Sequence, residues 1–186
     1  RFFLFHELIG GPVFDFPRDV TGVIGCVKKR YFPHPGTTVD DGIPKGVFPD
    51  AKVIVHVHSG QTNSLFRWLF DGLKNNGGKW DVIGMSLYAE TDTWQDINND
   101  CIDNINDMIS RYGSEVMICE IGMSWDESVT AKLFLTDLIT RAKAISNNKC
   151  LGVFYWEPEA YNNWQGYTLG AFDNSGKPTI ALNAFN

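Results

Sequence analysis

Val116-Met117-Ile118-Cys119-Glu120-Ile121-Gly122 is a run of four apolar residues closed by a carboxylate and an Ile-Gly pair. Apolar residues without polar alternation describe a strand covered on both faces, as strands of a parallel sheet are. Three further runs share that character: Val53-Ile54-Val55-His56-Val57, Val82-Ile83-Gly84-Met85-Ser86-Leu87-Tyr88 and Leu151-Gly152-Val153-Phe154-Tyr155-Trp156. Helical patterns lie between them. Leu65, Phe66, Leu69, Phe70 and Leu73 recur at three- and four-residue spacing over 63–76, and Gly77-Gly78 closes the pattern. Ile97, Cys101, Ile105, Met108 and Tyr112 mark one face of a helix over 93–111, with a capping box of Thr93 and Asp96 at its start and Gly113 at its end. A third helix is predicted over 127–146, buried along Thr130, Phe134, Leu138, Ala142 and Ile145, and a short last one over 179–185.

The strand starts at 53, 82, 116 and 151 are 29, 34 and 35 residues apart, so strand and helix alternate at the repeat of an α/β fold. Two architectures meet that spacing: an open doubly wound sheet, and part of a (β/α)8 barrel. The doubly wound sheet usually carries a Gly-rich phosphate loop after its first strand. Here that loop is His58-Ser59-Gly60-Gln61, neither GxGxxG nor a P-loop, which leaves nucleotide binding weakly supported. Residues 1–47 read differently from 48–186. They hold Pro12, Pro17, Pro33, Pro35 and Pro44 with seven Gly and no sustained period, so this part is expected to be irregular apart from short strands at Phe2–Phe5 and Val23–Val27. A structureless stretch of that length is uncommon inside a compact domain. The start at Arg1 further suggests a fragment or a processed product.

Composition narrows the partners. The chain has 186 residues, with 16 Lys+Arg against 22 Asp+Glu and a net charge of −6, and it carries no basic stripe; nucleic-acid binding is not expected. Hydrophobic residues at 44% exclude general disorder, and no apolar run is long enough for a membrane span. Cys26, Cys101, Cys119 and Cys150 follow no zinc-ligand spacing and are expected to be free thiols in the main. Aromatics make up 13%, including six Trp, of which Trp68 and Trp80 are expected to pack in the helix layer.

In a barrel, reactive groups gather at the carboxyl ends of the strands. Those ends deliver His56 and His58, then Ser86, Tyr88 and Glu90, then Glu120, and finally Trp156, Glu157 and Glu159. A lone strand-end Glu is more often a salt-bridge partner, and a lone Trp is as often core; four strand ends agreeing is the stronger observation. Glu120 is the sharpest case, because burial of a carboxylate is costly unless it is paired or hydrogen-bonded. A carboxylate so fixed at a rim is what a glycosidase nucleophile needs. Trp156 offers a flat face for a sugar ring, and Trp164 with Gly166 would extend such a groove.

The runs Phe48-Pro49-Asp50-Ala51-Lys52-Val53-Ile54-Val55-His56, Leu65-Phe66-Arg67-Trp68, Trp80-Asp81-Val82-Ile83-Gly84-Met85-Ser86, Cys119-Glu120-Ile121-Gly122 and Gly152-Val153-Phe154-Tyr155-Trp156-Glu157-Pro158 resemble glycoside hydrolase family 53. The resemblance covers about residues 48–186, in order and with compatible spacing. It implies a retaining (β/α)8 endo-β-1,4-galactanase acting on galactan and type I arabinogalactan, of which this chain holds about strands four or five to eight. Glu120 then matches the nucleophile, Trp156 the tryptophan of the eighth strand beside the cleavage subsite, His58 and Asn63 the loop after the fifth strand, and Ser86 and Tyr88 the end of the sixth. Glu157 and Trp164 belong to the same expected sugar-binding set. Where the family often carries a second aromatic and a Pro after the sixth strand, Leu87 and Ala89 stand here.

The family's acid/base follows Asn in an Asn-Glu pair. This sequence has His6-Glu7, and Glu7 precedes Glu120 by 113 residues, about 38 for each of three βα steps, which makes Glu7 the candidate acid/base. The His at position 6 lacks the amide that in such enzymes contacts the sugar 2-hydroxyl. Residues 8–46 match the family poorly and strands one to three are missing, so the natural gene is expected to be longer. No cofactor is implied. The calcium loop some relatives carry after the seventh strand is not expected either, since Ser124–Glu127 leads straight into a helix. The implied partner is a polysaccharide, and the implied location is secreted, periplasmic or cell-surface. Two other readings stay open: a non-catalytic galactan-binding or unstable barrel fragment, and a related barrel glycosidase acting on another β-linked polymer.

Overall fold

The computed structural model describes residues 2–5 and 52–186. The main elements are β1 (Phe2–Phe5), β2 (Lys52–Val57), α1 (Asn63–Asn75), β3 (Val82–Tyr88), α2 (Trp94–Tyr112), β4 (Glu115–Gly122), α3 (Ser128–Lys143) and β5 (Cys150–Tyr155). The expected strand starts at 53, 82, 116 and 151 lie within one residue of those found. Val23–Val27, Glu7 and Cys26 fall outside the described residues.

Every strand pairing is parallel, and the strands lie side by side in chain order from β1 to β5. A doubly wound sheet reverses that order at a switch point and carries helices on both faces. Here the order does not reverse, and the two faces are unlike. On the outer face Val55, Ile83, Met85, Leu87, Val116 and Ile118 pack with Phe66 and Phe70 of α1, Cys101, Ile105 and Met108 of α2, and Phe134 and Leu138 of α3. On the inner face Ile54, Val82, Met117 and Cys119 pack with Leu151, from strands alone. One helical layer outside a sheet wound in sequence is the barrel arrangement, and the described residues form part of a (β/α)8 barrel.

The helix ends follow their stop residues. Gly77 takes φ 77° after α1, and the Gly78 N–H donates back to the Leu73 carbonyl at 2.8 Å. Gly113 takes φ 71° after α2, and its N–H donates to the Ile109 carbonyl. The expected capping box does not form. Thr93 makes no side-chain cap bond, because its ψ of −8° holds it in a turn rather than the extended geometry that aims a hydroxyl at the first free N–H groups. The third helix is shorter than expected. A 3₁₀ turn over Trp125–Glu127 precedes it, and the chain leaves it for a turn in which Asn147 and Asn148 adopt φ 60° and 53°. Its buried face is Ala131, Phe134, Leu135, Leu138, Ile139 and Ala142, leaving Thr130 and Ile145 half-buried. The last expected helix is a 3₁₀ segment, Ile180–Phe185.

Trp80 packs as expected, edge-on against Phe70 and Tyr112, with its indole N–H donated to Ser114 Oγ at 2.9 Å. Trp68 does not: it is 60% exposed. Two residues beyond the buried Phe66, it is turned about 200° around the helix, onto the solvent side. Cys101 and Cys119 are buried free thiols and Cys150 is a half-buried one. No helix among the described residues is long and apolar enough to cross a membrane.

Candidate active site

Side chains alternate between faces along a strand, so with Met117 pointing inward Glu120 belongs on the outer, helix-covered face. The structure departs from that parity. Met85 pairs with Ile118, but the next residue, Ser86, pairs with Glu120, so Cys119 is an extra residue in β4. Such a bulge re-aims whatever follows it. Glu120 is turned to the inner face beside Ser86, while Ile121 takes the outward place opposite Leu87 and packs with the helix layer.

There Glu120 is 6% exposed. Ser86 Oγ donates to its Oε2 at 3.0 Å, and Tyr88 OH donates to the same oxygen at 3.3 Å. His56, buried on the adjacent strand, places Nε2 2.7 Å from Ser86 Oγ and Nδ1 3.9 Å from Glu120 Oε1. With the Ser86 proton committed to the carboxylate, His56 Nε2–H is the donor to Ser86 Oγ. Strands β2, β3 and β4 thus each contribute a polar group at their carboxyl ends, and these groups converge on one carboxylate. Burial beside that carboxylate pushes the Tyr88 hydroxyl well above its ordinary range, so it is a proton donor at any physiological pH.

The loop after β5 supplies a second layer. The Trp156 N–H donates to the Ile121 carbonyl at 3.0 Å, one residue past Glu120, and the Trp156 carbonyl accepts from Tyr167 OH at 3.2 Å. The Tyr167 hydroxyl lies near Tyr88 and Glu120, and burial pushes it up to about 12. Beyond Trp156 the chain turns sharply: Glu157 adopts φ 46°, and its carbonyl accepts from the Ala160 N–H at 3.1 Å. Trp156 is 38% exposed and Trp164, in a later turn of the loop, 49%.

The expected site residues are therefore divided. Glu120, Ser86 and Tyr88 share one hydrogen-bonded cluster, and Trp156 is tied to it through Ile121 and Tyr167. Glu157 and Trp164 lie exposed on the β5 loop, and His58 lies exposed at the start of the β2–α1 loop with Nδ1 2.7 Å from Ser59 Oγ. Asn63 is directed into the helix layer, where both of its amide N–H groups are used by Asn104 and Asp107 of α2, each at 2.8 Å. Leu87 and Ala89 are buried. Glu7 lies outside the described residues. His56 and Tyr167 join the cluster without having been expected as site residues. His56 had a signal in its strand-end position, whereas Tyr167 sits in irregular chain with no periodicity to mark it. A cavity of about 370 Å³ lined by Lys74, Lys79, Trp80 and Tyr112 opens by the amino ends of β2 and β3, away from this cluster.

Comparison with known proteins gives a consistent picture. The model of glycosyl hydrolase family 53 matches residues 30–185. A protein of Niallia circulans, described as an uncharacterized protein in the bgaB 5′ region, is 23% identical over 159 residues, which is 73% of this chain and 43% of that protein. Among solved structures, a fungal β-1,4-galactanase is 20% identical with a TM-score of 0.62, over 74% of this chain and 48% of that one. A family 53 catalytic domain from Ignisphaera aggregans is 22% identical with a TM-score of 0.61, over 76% of this chain and 48% of that one. This chain spans about half the length of these relatives.

Proposed function

The chain belongs to glycosyl hydrolase family 53, and we propose that it carries the nucleophile half of an endo-acting, retaining β-1,4-galactanase site for galactan or type I arabinogalactan. The observation that carries this reading is Glu120: a carboxylate turned inward by a bulge at the carboxyl rim and held by Ser86 and Tyr88. The likeness to a fungal β-1,4-galactanase supports galactan as the polymer.

Hydrolysis with retention takes two displacements. Glu120 attacks the anomeric carbon, and the glycosidic bond to the leaving oxygen breaks as that oxygen takes a proton from a carboxylic acid. Glu7 is the residue proposed for that acid, which requires its carboxyl to stand about 5–5.5 Å from that of Glu120. Water then returns a proton to Glu7, attacks the same carbon and frees Glu120. Ser86 and Tyr88 both hold Oε2 of Glu120. Trp156, exposed on the loop tied to Ile121, supplies a ring for the apolar face of the sugar, and Trp164, Glu157 and His58 lie on loops that would extend the groove. The chemistry needs two carboxyls and water, and no cofactor. A polymeric substrate places such an enzyme outside the cytoplasm, as a secreted, periplasmic or cell-surface protein.

Reducing-sugar release from β-1,4-galactan, measured beside a Glu120→Gln variant, tests this. Release that disappears in the variant supports it. Release only from other β-linked polymers would replace the substrate, and binding to galactan without release would make this chain a galactan-binding piece of a barrel.

A further inference from the structure

Ser86 has one proton, and its oxygen stands within hydrogen-bond distance of two groups able to take it: Glu120 Oε2 at 3.0 Å and His56 Nε2 at 2.7 Å. The hydroxyl rotates to suit its surroundings, so the imidazole settles where that proton goes. Neutral imidazole carries its own single proton on one nitrogen or the other. With that proton on Nδ1, Nε2 turns a lone pair to Ser86 and takes the serine proton. The serine oxygen then faces the carboxylate, acceptor against acceptor. With the proton on Nε2, the ring fills the acceptor side of Ser86, and the serine proton goes to Glu120. An Nδ1–H aimed at Glu120 Oε1 offers no recompense, since that separation is 3.9 Å. The backbone is arranged for the ring to reach. His56 pairs with Gly84, while Ser86 lies one same-face position further along β3, so the imidazole extends rimward past a residue with no side chain. A Cβ at Gly84 would stand 3.1 Å from His56 Cβ.

We infer that His56 is a positioning residue for Glu120 that acts through Ser86: held as the Nε2–H tautomer, the buried imidazole aims the serine proton at Glu120 Oε2. The inference rests on Glu120 being the nucleophile of the proposed reaction, and it gives His56 a part in that reaction without contact with the sugar. In the first displacement Glu120 loses its charge to an ester, and in the second it regains that charge as it leaves. A hydrogen bond donated to Oε2 stabilises the departing carboxylate, so a misdirected serine proton slows release of the glycosyl-enzyme. The carboxylate in turn selects the tautomer that serves it, because donation to an ion is stronger than donation to a neutral ring nitrogen. One hydroxyl therefore couples the state of a ring on β2 to the chemistry of a carboxylate on β4.

The test uses the full chain labelled with ¹⁵N in its four histidines and ¹³C at the glutamate carboxyls, the two signals being assigned by His56→Gln and Glu120→Gln. In the wild type at neutral pH, magnetic resonance is expected to show a proton on His56 Nε2. A bare Nε2 overturns the inference. His56→Leu removes the donor and should move the Glu120 carboxyl signal in the sense of weaker hydrogen bonding, but should add nothing in a Ser86→Ala background. His56→Gln, whose amide N–H stands near the place of Nε2–H, should return the signal toward its wild-type position. An unmoved signal in His56→Leu, or the same movement with and without Ser86, overturns the inference. Should His56→Leu not fold, the wild-type tautomer decides, since a bare Nε2 takes the serine proton for itself. In turnover on β-1,4-galactan, His56→Leu is expected to lower kcat about ten- to a hundredfold, the range of one hydrogen bond to a charge, with KM unchanged or lower. His56→Gln should recover part of that loss. A rise in KM with kcat unchanged overturns the inference. A wild-type chain that hydrolyses nothing, yet shows the protonated Nε2 and the coupled carboxyl shift, would sink the galactanase reading and leave His56 aiming Ser86 at Glu120.

Discussion

Gly84→Ala inserts a single methyl group at the point where the inner face of the barrel is tightest. Its Cβ would stand 2.8 Å from Cys119 Sγ, 2.8 Å from Ile54 Cγ2 and 3.1 Å from His56 Cβ. Relaxed contacts lie at about 3.5–4.0 Å, so two neighbours are overlapped by roughly 0.7 Å or more. The backbone has nowhere to retreat, because Gly84 is paired with His56 on one side and Met117 on the other. Overpacking of this kind costs about 1–3 kcal/mol. At this chain length each kcal/mol lowers Tm by about 2–4 °C, so a drop of about 2–12 °C is expected in thermal unfolding followed by circular dichroism. Gly72→Ala is the matched control: it lies inside α1 with nothing within 4 Å of its Cβ, and it should stabilise by about 0.5–1 kcal/mol. The same chemical change thus acts with opposite sign at two sites. Adding Cys119→Ala to Gly84→Ala removes one of the two overlaps, and the double variant should be more stable than the two single losses summed. Activity should fall further than the folded fraction does, since the displaced groups are the strand neighbours of Glu120 and His56 itself. A Gly84→Ala protein that melts within about 1 °C of wild type would refute the packing and the register behind it.

Two further outcomes are expected. Trp156→Ala should raise KM on galactan by about tenfold, the scale of one lost aromatic contact, while Trp68→Ala, exposed on the solvent side of α1, should leave KM and kcat unchanged in the same steady-state assay. Stability should fall as the medium turns alkaline: burial pushes the Cys101 and Cys119 thiols up to about 12 from an ordinary value near 9. The folded state therefore keeps protons that the unfolded chain releases, and the stabilisation is whole below about pH 8.5 and lost between there and pH 12. Urea midpoints measured from pH 8 to 10 check this, and a flat profile would contradict the burial of both thiols.

Much of the fold is written in local pattern because its strands are covered on both faces. Val53–Val57, Val82–Tyr88 and Val116–Cys119 can be placed without tertiary knowledge, since continuous apolar runs between glycine-stopped helices admit few other structures. Strand spacing alone fits barrel and doubly wound sheet equally; the loop over 58–61 and the family resemblance point to the barrel, and the pairing order and the single helical layer bear that out. The local rules that failed did so where tertiary geometry decides. Thr93 has the residue type of a cap, but the turn from Glu90 sets its ψ. Trp68 has the residue type of a core position, but Phe66 and Phe70 already fix which side of α1 is buried.

The site shows the same division more sharply. Its residues were legible as strand ends, yet alternation from Met117 puts Glu120 among the outer positions, opposite to where it is found. On that face its neighbours would be Val116, Ile118 and the helix layer, where an ionised carboxylate meets no donor and burial is prohibitive. The bulge that absorbs Cys119 turns Glu120 to where Ser86 and Tyr88 hold it, and at the same stroke returns Ile121 to the apolar layer. Both changes lower the free energy of the same short segment, so the bulge is favoured by packing and by the carboxylate together. Flattening the bulge with Cys119 in place would exchange the faces of Glu120 and Ile121, whereas deleting Cys119 restores plain alternation from Met117 and is expected to leave Glu120 inward beside Ser86 and Ile121 outward beside Leu87. A Cys119 deletion that unfolds the chain in thermal denaturation would refute the register that makes Cys119 the extra residue.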